Sequence, residues 1–351
     1  MGMGTGAEAR RDLRRRATTA AAVLAATITT SLAAGCTTHS ATPSEDNRGR
    51  SRAEADGPAP KHVPQQLPYH TPVPTEKSAT GSVLAVKIDN VGAARPQTGL
   101  NSADVIYTEQ VEGGLSRLMA VYASQLPSVV GPVRSARESD LELLRQFDEP
   151  TLAFSGAQHK LLPLIDKAPL HPKTPDVAAD AYFRAPDRPS PHNLYLRPDR
   201  LMSSAPGAAA LTTGYEYGAA PQGGSPMTSR TVRYPMASFT FTWSAAQHRW
   251  LVSMDGSATT TTDGKRVAPA TVVVQHVKVR ESEFHDVNGN NTPYTETVGT
   301  GKAEVLRDGR SYDATWSRQK ADDGTKFTTP DGAQLNFAPG QVWVVFAPSA
   351  G

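Results

Sequence analysis

Arginine and glutamate side chains are concentrated in one part of a 351-residue chain whose formal net charge is only +2. Arg134 and Arg137 flank Ser135 in the segment GPVRSARESD, and Glu109 and Glu112 lie shortly before them. Two guanidinium groups beside a predicted helix start favour a site for a carboxylate or a phosphate, because the planar fork of arginine makes paired hydrogen bonds to oxyanions. The sequence therefore raises the hypothesis of an anion-binding pocket.

The same charged residues are compatible with two other interpretations. Glu109 and Glu112 are suited to acid–base catalysis, or to metal binding, provided that burial separates their pKa values. Alternatively, Arg134 or Arg137 pairs with one of these glutamates, and the charges then form structural salt bridges between a helix and a hairpin. All three interpretations stay open at this point.

Further polar residues lie at predicted strand ends and in loops. Such positions in an α/β layer converge on one edge of a sheet, where ligands bind. In our hypothesis Arg134 and Arg137 make bidentate contacts, His192 and Asn193 supply neutral donors, and the two glutamates orient the arginines. The full candidate ligand-binding set is Asp89, Asn90, Arg95, Glu109, Glu112, Arg117, Arg134, Ser135, Arg137, His192 and Asn193.

Common cofactor and metal motifs are not matched. The segment VGTGKAE (298–304) lacks the upstream glycine and the Ser/Thr of a phosphate-binding loop. The segment DVNGNNTPYTET (286–297) has Asn291 where a calcium loop needs glycine and Thr297 where it needs a bidentate acid. Gly-x-Ser-x-Gly and HExxH motifs are absent from the sequence. We therefore expect no cofactor and no metal, and we favour a binding protein over an enzyme.

The elements that must position these residues form a predicted α+β protein. Strands are expected over 82–90, 103–110 and 115–124, and a helix over 135–149, with Ser135 as N-cap and Glu138 completing a capping box. Shorter helices are expected over 157–167, where Pro163 kinks or ends the helix, and over 174–184 and 197–205. These elements predict a mixed α/β domain over 81–205.

The second half has a different hydrophobic pattern. After a Gly/Ala/Pro-rich connector (206–228), residues alternate with period two or are β-branched and aromatic, and Asp-Gly pairs recur at 255–256 and 308–309. Asp-Gly pairs between such runs indicate β-hairpins. A β-rich domain is therefore predicted over 229–349.

The first 80 residues predict export and anchoring. A basic segment, an uncharged apolar segment and the sequence LAAGC lead to Cys36, which is the single cysteine of the chain. This order is typical of a lipoprotein signal peptide (1–36), with Cys36 as the lipidated residue. The following Pro-rich polar stretch (37–80) cannot bury enough apolar surface to fold and is interpreted as a disordered tether. The predicted location is extracytoplasmic, anchored to the cell membrane.

Bulk composition excludes two further classes. A nearly neutral chain does not fit a general nucleic-acid binder, which needs a strongly basic face. One cysteine excludes both a disulfide framework and a cysteine-based zinc site.

An ordered series of motifs carries a family resemblance: KIDN (87–90), ARPQTGL (94–100), ADVIYTEQVEGGLSRLMAVYAS (103–124), GPVRSAR (131–137), PHNLY (191–195) and GTGKAEVLRDGRSYDATWSR (299–318). Over about residues 81–350 the chain resembles the YerB-like lipoprotein family of bacteria. The resemblance implies a two-domain protein of the cell envelope, and it implies no reaction, because the family's function is unknown.

The leading hypothesis is a membrane-anchored extracytoplasmic protein that binds an anionic envelope ligand, such as a glycan, a peptide carboxylate or a polyol phosphate. One alternative is an envelope hydrolase that uses Glu109 or Glu112 as its acid or base. The other alternative is a scaffold whose β-rich domain docks an envelope protein.

Overall fold

Strands dominate the computed structural model, which describes residues 81–286 and 289–349. The predicted signal peptide, Cys36 and the tether lie outside the described residues. In the described part of the chain, no helix is long and apolar enough to cross a membrane.

The first part of the chain supplies short strands and two short α-helices. In chain order they are β1 (Leu84–Asp89), β2 (Val105–Gln110), β3 (Ser116–Tyr122), α1 (Glu138–Leu144), β4 (Thr151–Ala153), α2 (Leu162–Lys167), β5 (His171–Lys173), β6 (Tyr182–Arg184) and β7 (Leu194–Leu196).

The second part supplies strands alone among the described residues. They are β8 (Ser225–Pro226), β9 (Ser229–Tyr234), β10 (Ala237–Ser244), β11 (Arg249–Met254), β12 (Ser257–Ala258), β13 (Thr271–Val277), β14 (Val279–His285), β15 (Asn291–Thr295), β16 (Gly299–Arg307), β17 (Arg310–Arg318), β18 (Lys326–Thr328) and β19 (Val342–Pro348).

One large sheet runs through both parts of the chain. Its strand order is β18-β17-β16-β13-β19-β2-β3-β1-β4-β5, and β8 pairs with β17 beside this path. The two parts join where β19 lies parallel to β2, with Val344 beside Tyr107. The stretches 81–205 and 229–349, predicted as two domains, therefore contribute strands to one sheet.

Both faces of this sheet are covered, which explains why its central strands are almost continuously apolar. On one face, the buried Trp343 of β19 contacts Phe239 and Phe241 of a second sheet with the order β12-β11-β10-β9. On the other face, Leu143 and Leu144 of α1 belong to the same buried cluster as the strand residues around them. Each such buried side chain contributes about 1.5–3 kcal/mol through the hydrophobic effect.

The prediction of a β-rich second half is confirmed, whereas a mixed α/β first half is not. Residues 174–184 and 197–205 contain no α-helix; single 3-10 turns and the strand β6 take their place. The strand forms because residues 182–184 pair with β7, so tertiary pairing overrides local helix preference.

Helix α1 is shorter than predicted, and its cap is different. The Arg137 backbone is extended (φ −126°, ψ 164°), so the helix begins at Glu138 rather than at Ser135. The Asp140 carboxylate accepts a hydrogen bond from the Arg137 N–H at 2.7 Å. The capping carboxylate is thus Asp140, and the predicted Ser135–Glu138 capping box is wrong.

Candidate functional site

A cleft of about 360 Å³ opens where β1 and β2 end and β3 begins. We call it the arginine cleft. Its walls include the loop before α1 and the hairpin formed by β14 and β15, which contributes Phe284, His285 and Thr292. Six of the eleven candidate residues line it: Asp89, Glu112, Arg117, Arg134, Ser135 and Arg137.

Strand register brings the charged residues together at this edge. In the order β2-β3-β1, Arg117 of β3 lies opposite Asp89 of β1 on one side and opposite Glu109 of β2 on the other. Directly opposed residues project from the same face of a sheet. The antiparallel pairing therefore gathers one arginine and two carboxylates within a single row.

Arg137 is held by Glu112. Its Nε and Nη2 donate to the two Glu112 carboxylate oxygens at 2.6 and 2.7 Å, which is a bidentate pair. Thr292 of β15 donates to the same carboxylate at 2.6 Å. Burial alone raises the pKa of Glu112, but the hydrogen bonds and charge of Arg137 and the Thr292 hydroxyl bring it below its ordinary value. Glu112 is therefore an ionised partner that fixes Arg137.

Arg117 has a different environment. It is only 9% exposed, and its Nη1 donates to the Ser135 carbonyl at 2.9 Å. Among the described residues, no carboxylate oxygen lies within 4.0 Å of its guanidinium group. Burial, and then the positive charge of Arg137, lower the pKa of Arg117 to about 10. Arg117 thus stays charged at neutral pH, without a direct ionic partner in the described chain.

Arg134 shares a carboxylate with a histidine. Its Nε lies 3.3 Å from Asp89 Oδ2, and His192 Nδ1 lies 2.8 Å from the same oxygen. His192 is therefore placed behind Asp89 rather than in the lining of the cleft. Asn193 is also outside the lining, and its side-chain Oδ1 accepts a hydrogen bond from Arg184 Nη1 at 2.8 Å.

Asn90 and Arg95 form a supporting network beside the cleft. The Asn90 side chain donates to the Ser116 hydroxyl at 2.9 Å and accepts from Arg95 Nε at 3.2 Å. Arg95 also pairs with Asp255, 2.8 Å away, at the turn after β11. These two candidates position the loop after β1 rather than line the cavity.

Glu109 belongs to a buried ionic cluster, not to the cleft. Lys87, which is fully buried, contacts the Glu109 carboxylate and donates to Asp140 Oδ1 at 2.6 Å. Ser139 donates to the other Glu109 oxygen at 2.8 Å. Burial and the neighbouring Glu109 charge raise the pKa of Asp140 to about 6. A carboxylate enclosed in this way has no access to a substrate in the arginine cleft.

Sequence reasoning missed Lys87 and Asp140. The available signal was a lysine inside the otherwise apolar strand LAVKID, since a charge in a fully buried strand requires a partner. The described residues contain no group of three or more His, Cys, Asp or Glu side chains placed to hold a metal ion.

Two family models match consecutive parts of the chain. Residues 70–213 match the model described as protein of unknown function (DUF3048) N-terminal domain, and residues 230–344 match the corresponding C-terminal domain. The chain belongs to the DUF3048 family.

Individual relatives agree with the family models. The chain is 27% identical over 283 residues to YerB of Bacillus subtilis (strain 168), a candidate lipoprotein by name, covering 76% of this chain and 81% of the relative. A crystal structure of B. subtilis YerB superimposes with a TM-score of 0.64 and 22% identity, covering 76% of this chain and 91% of that one. The likeness to that structure shows a common fold. In this DUF3048 protein, residues from both family domains line the arginine cleft.

Proposed function

We propose that this chain is an extracytoplasmic, lipid-anchored protein that binds the anionic group of a cell-envelope molecule in the arginine cleft. The signal-like sequence ending at Cys36 supports the anchoring, as does the lipoprotein name given to B. subtilis YerB. The geometry of the cleft supports the binding of an anion.

The observation that carries the proposal is the environment of Arg117. A charged group that is nine-tenths buried has lost most of its hydration. The free-energy cost of that loss is offset only by an opposite charge or by good hydrogen bonds. Within the described residues Arg117 has one hydrogen bond, to a carbonyl, and no ion pair. A carboxylate or phosphate that enters the cleft supplies the missing charge.

The surrounding charges direct such an anion to Arg117 and Arg134. Glu112 already occupies Arg137 with two hydrogen bonds, whereas Arg134 has a single 3.3 Å approach to Asp89. Arg117, Arg134 and Arg137 exceed Asp89 and Glu112, the carboxylates bound to two of them, by one positive charge at this end of the cleft. Arg137 therefore acts as a fixed background charge, and Arg117 and Arg134 act as the direct ligands of the anion.

The size of the cleft limits the ligand to a small group or to the end of a polymer. A volume of about 360 Å³ lies at the low end of small-molecule sites. A sugar acid, the carboxylate end of a peptide and the end of a polyol phosphate each fit within this volume. The burial of Glu109 and the salt bridge of Glu112 provide no free acid–base pair, so binding is favoured over hydrolysis.

Replacing Arg117 by methionine is expected to weaken binding of the anion about 10- to 100-fold, the equivalent of one charge-assisted hydrogen-bonding group. Calorimetric titration of the purified full chain with N-acetylmuramic acid, N-acetyl-dialanine and glycerol 3-phosphate measures this effect. Arg145→Met is the matched control, because Arg145 pairs with Asp322 outside the cleft. Equal affinities in the parent and in Arg117→Met, for every anion that binds, would refute the site.

Replacing Cys36 by alanine is expected to abolish acylation of the chain completely, because the thiol is the predicted attachment point. Two or more acyl chains are needed for stable membrane attachment, since one myristoyl-length chain binds only reversibly. Incorporation of labelled palmitate, followed by mass analysis of the mature N-terminus, gives the answer. Equal labelling of the parent and the variant contradicts the anchoring proposal and leaves the anion site untouched.

A further inference from the structure

The arginine cleft also contains a carboxylate without a cationic partner. Glu138, the first residue of α1, lines the cleft together with Arg117. Its Oε2 accepts a hydrogen bond from the Ser282 hydroxyl at 2.6 Å. No Lys, Arg or His nitrogen of the described chain lies within 4.0 Å of its carboxylate oxygens. A serine hydroxyl is a neutral donor, so the negative charge of Glu138 is not balanced locally.

Arg117 and Glu138 therefore give the cleft a positive and a negative charge that have no ion-pair partner within the described residues. Arg117 and Glu138 line the same cavity, yet they are more than 4.0 Å apart and form no ion pair. Opposite charges in one protein cleft attract strongly at short range. Two such side chains that face a common cavity are both available to contact a third molecule.

The total charge of the lining also favours a ligand that carries both signs of charge. Arg117, Arg134 and Arg137 give three positive charges, and the lining contains four carboxylates: Asp89, Glu112, Glu138 and Asp286. Asp286 accepts hydrogen bonds from the Asn290 backbone and side-chain nitrogens at 2.9 Å. A lining that is close to neutral does not favour a ligand of high negative charge, whereas a ligand whose own charges cancel fits it.

We infer that the ligand is a zwitterion: a small molecule, or the end of a polymer, that carries an ammonium group beside its carboxylate or phosphate. This inference rests on the proposed anion site and specifies the ligand class. The anionic group lies against Arg117 and Arg134, and the ammonium group lies against Glu138. Val91, Leu161 and Phe284 also line the cleft and offer apolar contact to a short aliphatic side chain.

The inference is tested by matched ligands that differ in one charge. Dialanine, in the L or the D configuration, carries both an ammonium group and a carboxylate. N-acetyl-dialanine lacks the ammonium group, and dialanine amide lacks the carboxylate. The purified full chain is expected to bind dialanine at least 10-fold more tightly than either derivative, because each charge-assisted contact is worth about one order of magnitude in affinity. Phosphoethanolamine and glycerol 3-phosphate form a second pair, which distinguishes an amino-phosphate headgroup from a peptide end.

One variant and its control assign the ammonium contact to a residue. Glu138→Gln is expected to reduce the affinity ratio of dialanine to N-acetyl-dialanine from about 10 to near 1, because it removes the partner of the ammonium group. Glu283→Gln is the control, since Glu283 is exposed on β14 and lies outside the cleft.

The outcomes separate this inference from the function on which it rests. If N-acetyl-dialanine and dialanine bind equally, and Arg117→Met weakens both, the zwitterion inference is wrong and the anion site stands. If the ratio survives in Glu138→Gln, Glu138 is not the ammonium ligand and the inference fails. If no anionic and no zwitterionic probe binds, the inference and the proposed function are both wrong.

Discussion

Replacing Lys87 by methionine is expected to lower the free energy of unfolding by about 3–5 kcal/mol, the cost of leaving buried charges without their partner. Lys87 is fully buried between Glu109 and Asp140, which are 4% and 0% exposed. Methionine fills a similar volume but leaves two carboxylates facing each other without a cation. Chemical denaturation at pH 7, with extrapolation to water, measures the loss.

The ionic origin of this loss has a characteristic pH dependence. Burial and the Glu109 charge already raise the pKa of Asp140 to about 6, and the loss of Lys87 removes the charge and hydrogen bond that lower it, so the folded variant binds this proton more readily than the unfolded chain between about pH 4 and 7. The stability of Lys87→Met therefore falls as the pH rises through this window, and the deficit relative to the parent is smaller at pH 4 than at pH 7.

Two controls distinguish the buried cluster from a general effect of losing a lysine. Lys278→Met removes an exposed lysine that lies 3.6 Å from Glu296, and the expected change is below about 1 kcal/mol. Combining Lys87→Met with Glu109→Gln and Asp140→Asn removes the uncompensated charges and restores part of the stability. A Lys87→Met protein as stable as the Lys278→Met protein would show that the ionic cluster does not contribute.

Replacing Arg318 by methionine is expected to cost about 3 kcal/mol or more, because several buried hydrogen-bond acceptors lose their donor together. Arg318 ends β17 and is 1% exposed. Burial lowers the pKa of its guanidinium group. The group donates to five acceptors: the carbonyls of Glu142 (2.8 Å), Leu143 (3.3 Å), Asp323 (3.0 Å) and Ala321, and the hydroxyl of Thr297 (3.0 Å).

Two of these acceptors explain why the effect reaches the cleft. Glu142 and Leu143 lie in the last turn of α1, where helix carbonyls have no partner within the helix. Arg318 supplies that partner from the second half of the chain and thereby fixes the helix that starts beside Arg137. Thermal unfolding should show a decrease of about 10 °C, against a small change for Arg145→Met, whose ion pair is exposed. A decrease no larger than that of Arg145→Met would mean that water replaces the guanidinium group without cost.

Local sequence patterns were sufficient for strands and tight turns. The apolar runs predicted β1, β2 and β3 within two residues of their ends. The Asp-Gly pairs 255–256 and 308–309 form the predicted turns, with positive φ at both residues of each pair. These features depend on neighbours in the chain, so the sequence carries their signal directly.

Features that depend on contacts between residues far apart in the chain could not be predicted from local sequence patterns. The junction of β2 with β19 joins residues more than two hundred positions apart, and no local pattern marks it. The strand β6 took the place of a predicted helix because its partner β7 provides backbone hydrogen bonds. The cap of α1 was misassigned because Asp140, which also accepts from Lys87, satisfies the Arg137 N–H.

The sequence indicated which charged residues lie near one another, but not which of them face the cavity and which are enclosed by other side chains. Arg117, Arg134, Arg137 and Glu112 lie together in the cleft, as expected for residues at strand ends and a helix start. Glu109 was not separable from Glu112 in the sequence, although Lys87 of β1, two strands away in the sheet, contacts the Glu109 carboxylate. Strand alternation shows which face a residue occupies, but it does not show which partner covers it.

The shared sheet has a consequence for any division of this chain into two separate proteins. If the chain were divided between the two matched regions, β2 and β19 would each become an edge with unpaired backbone groups, and such edges promote aggregation. Recombination that exchanged one region for an unrelated module would also remove a wall of the cleft. The two matched regions of this chain therefore depend on each other for a closed sheet and a complete cleft, although sequence comparison divides them in two.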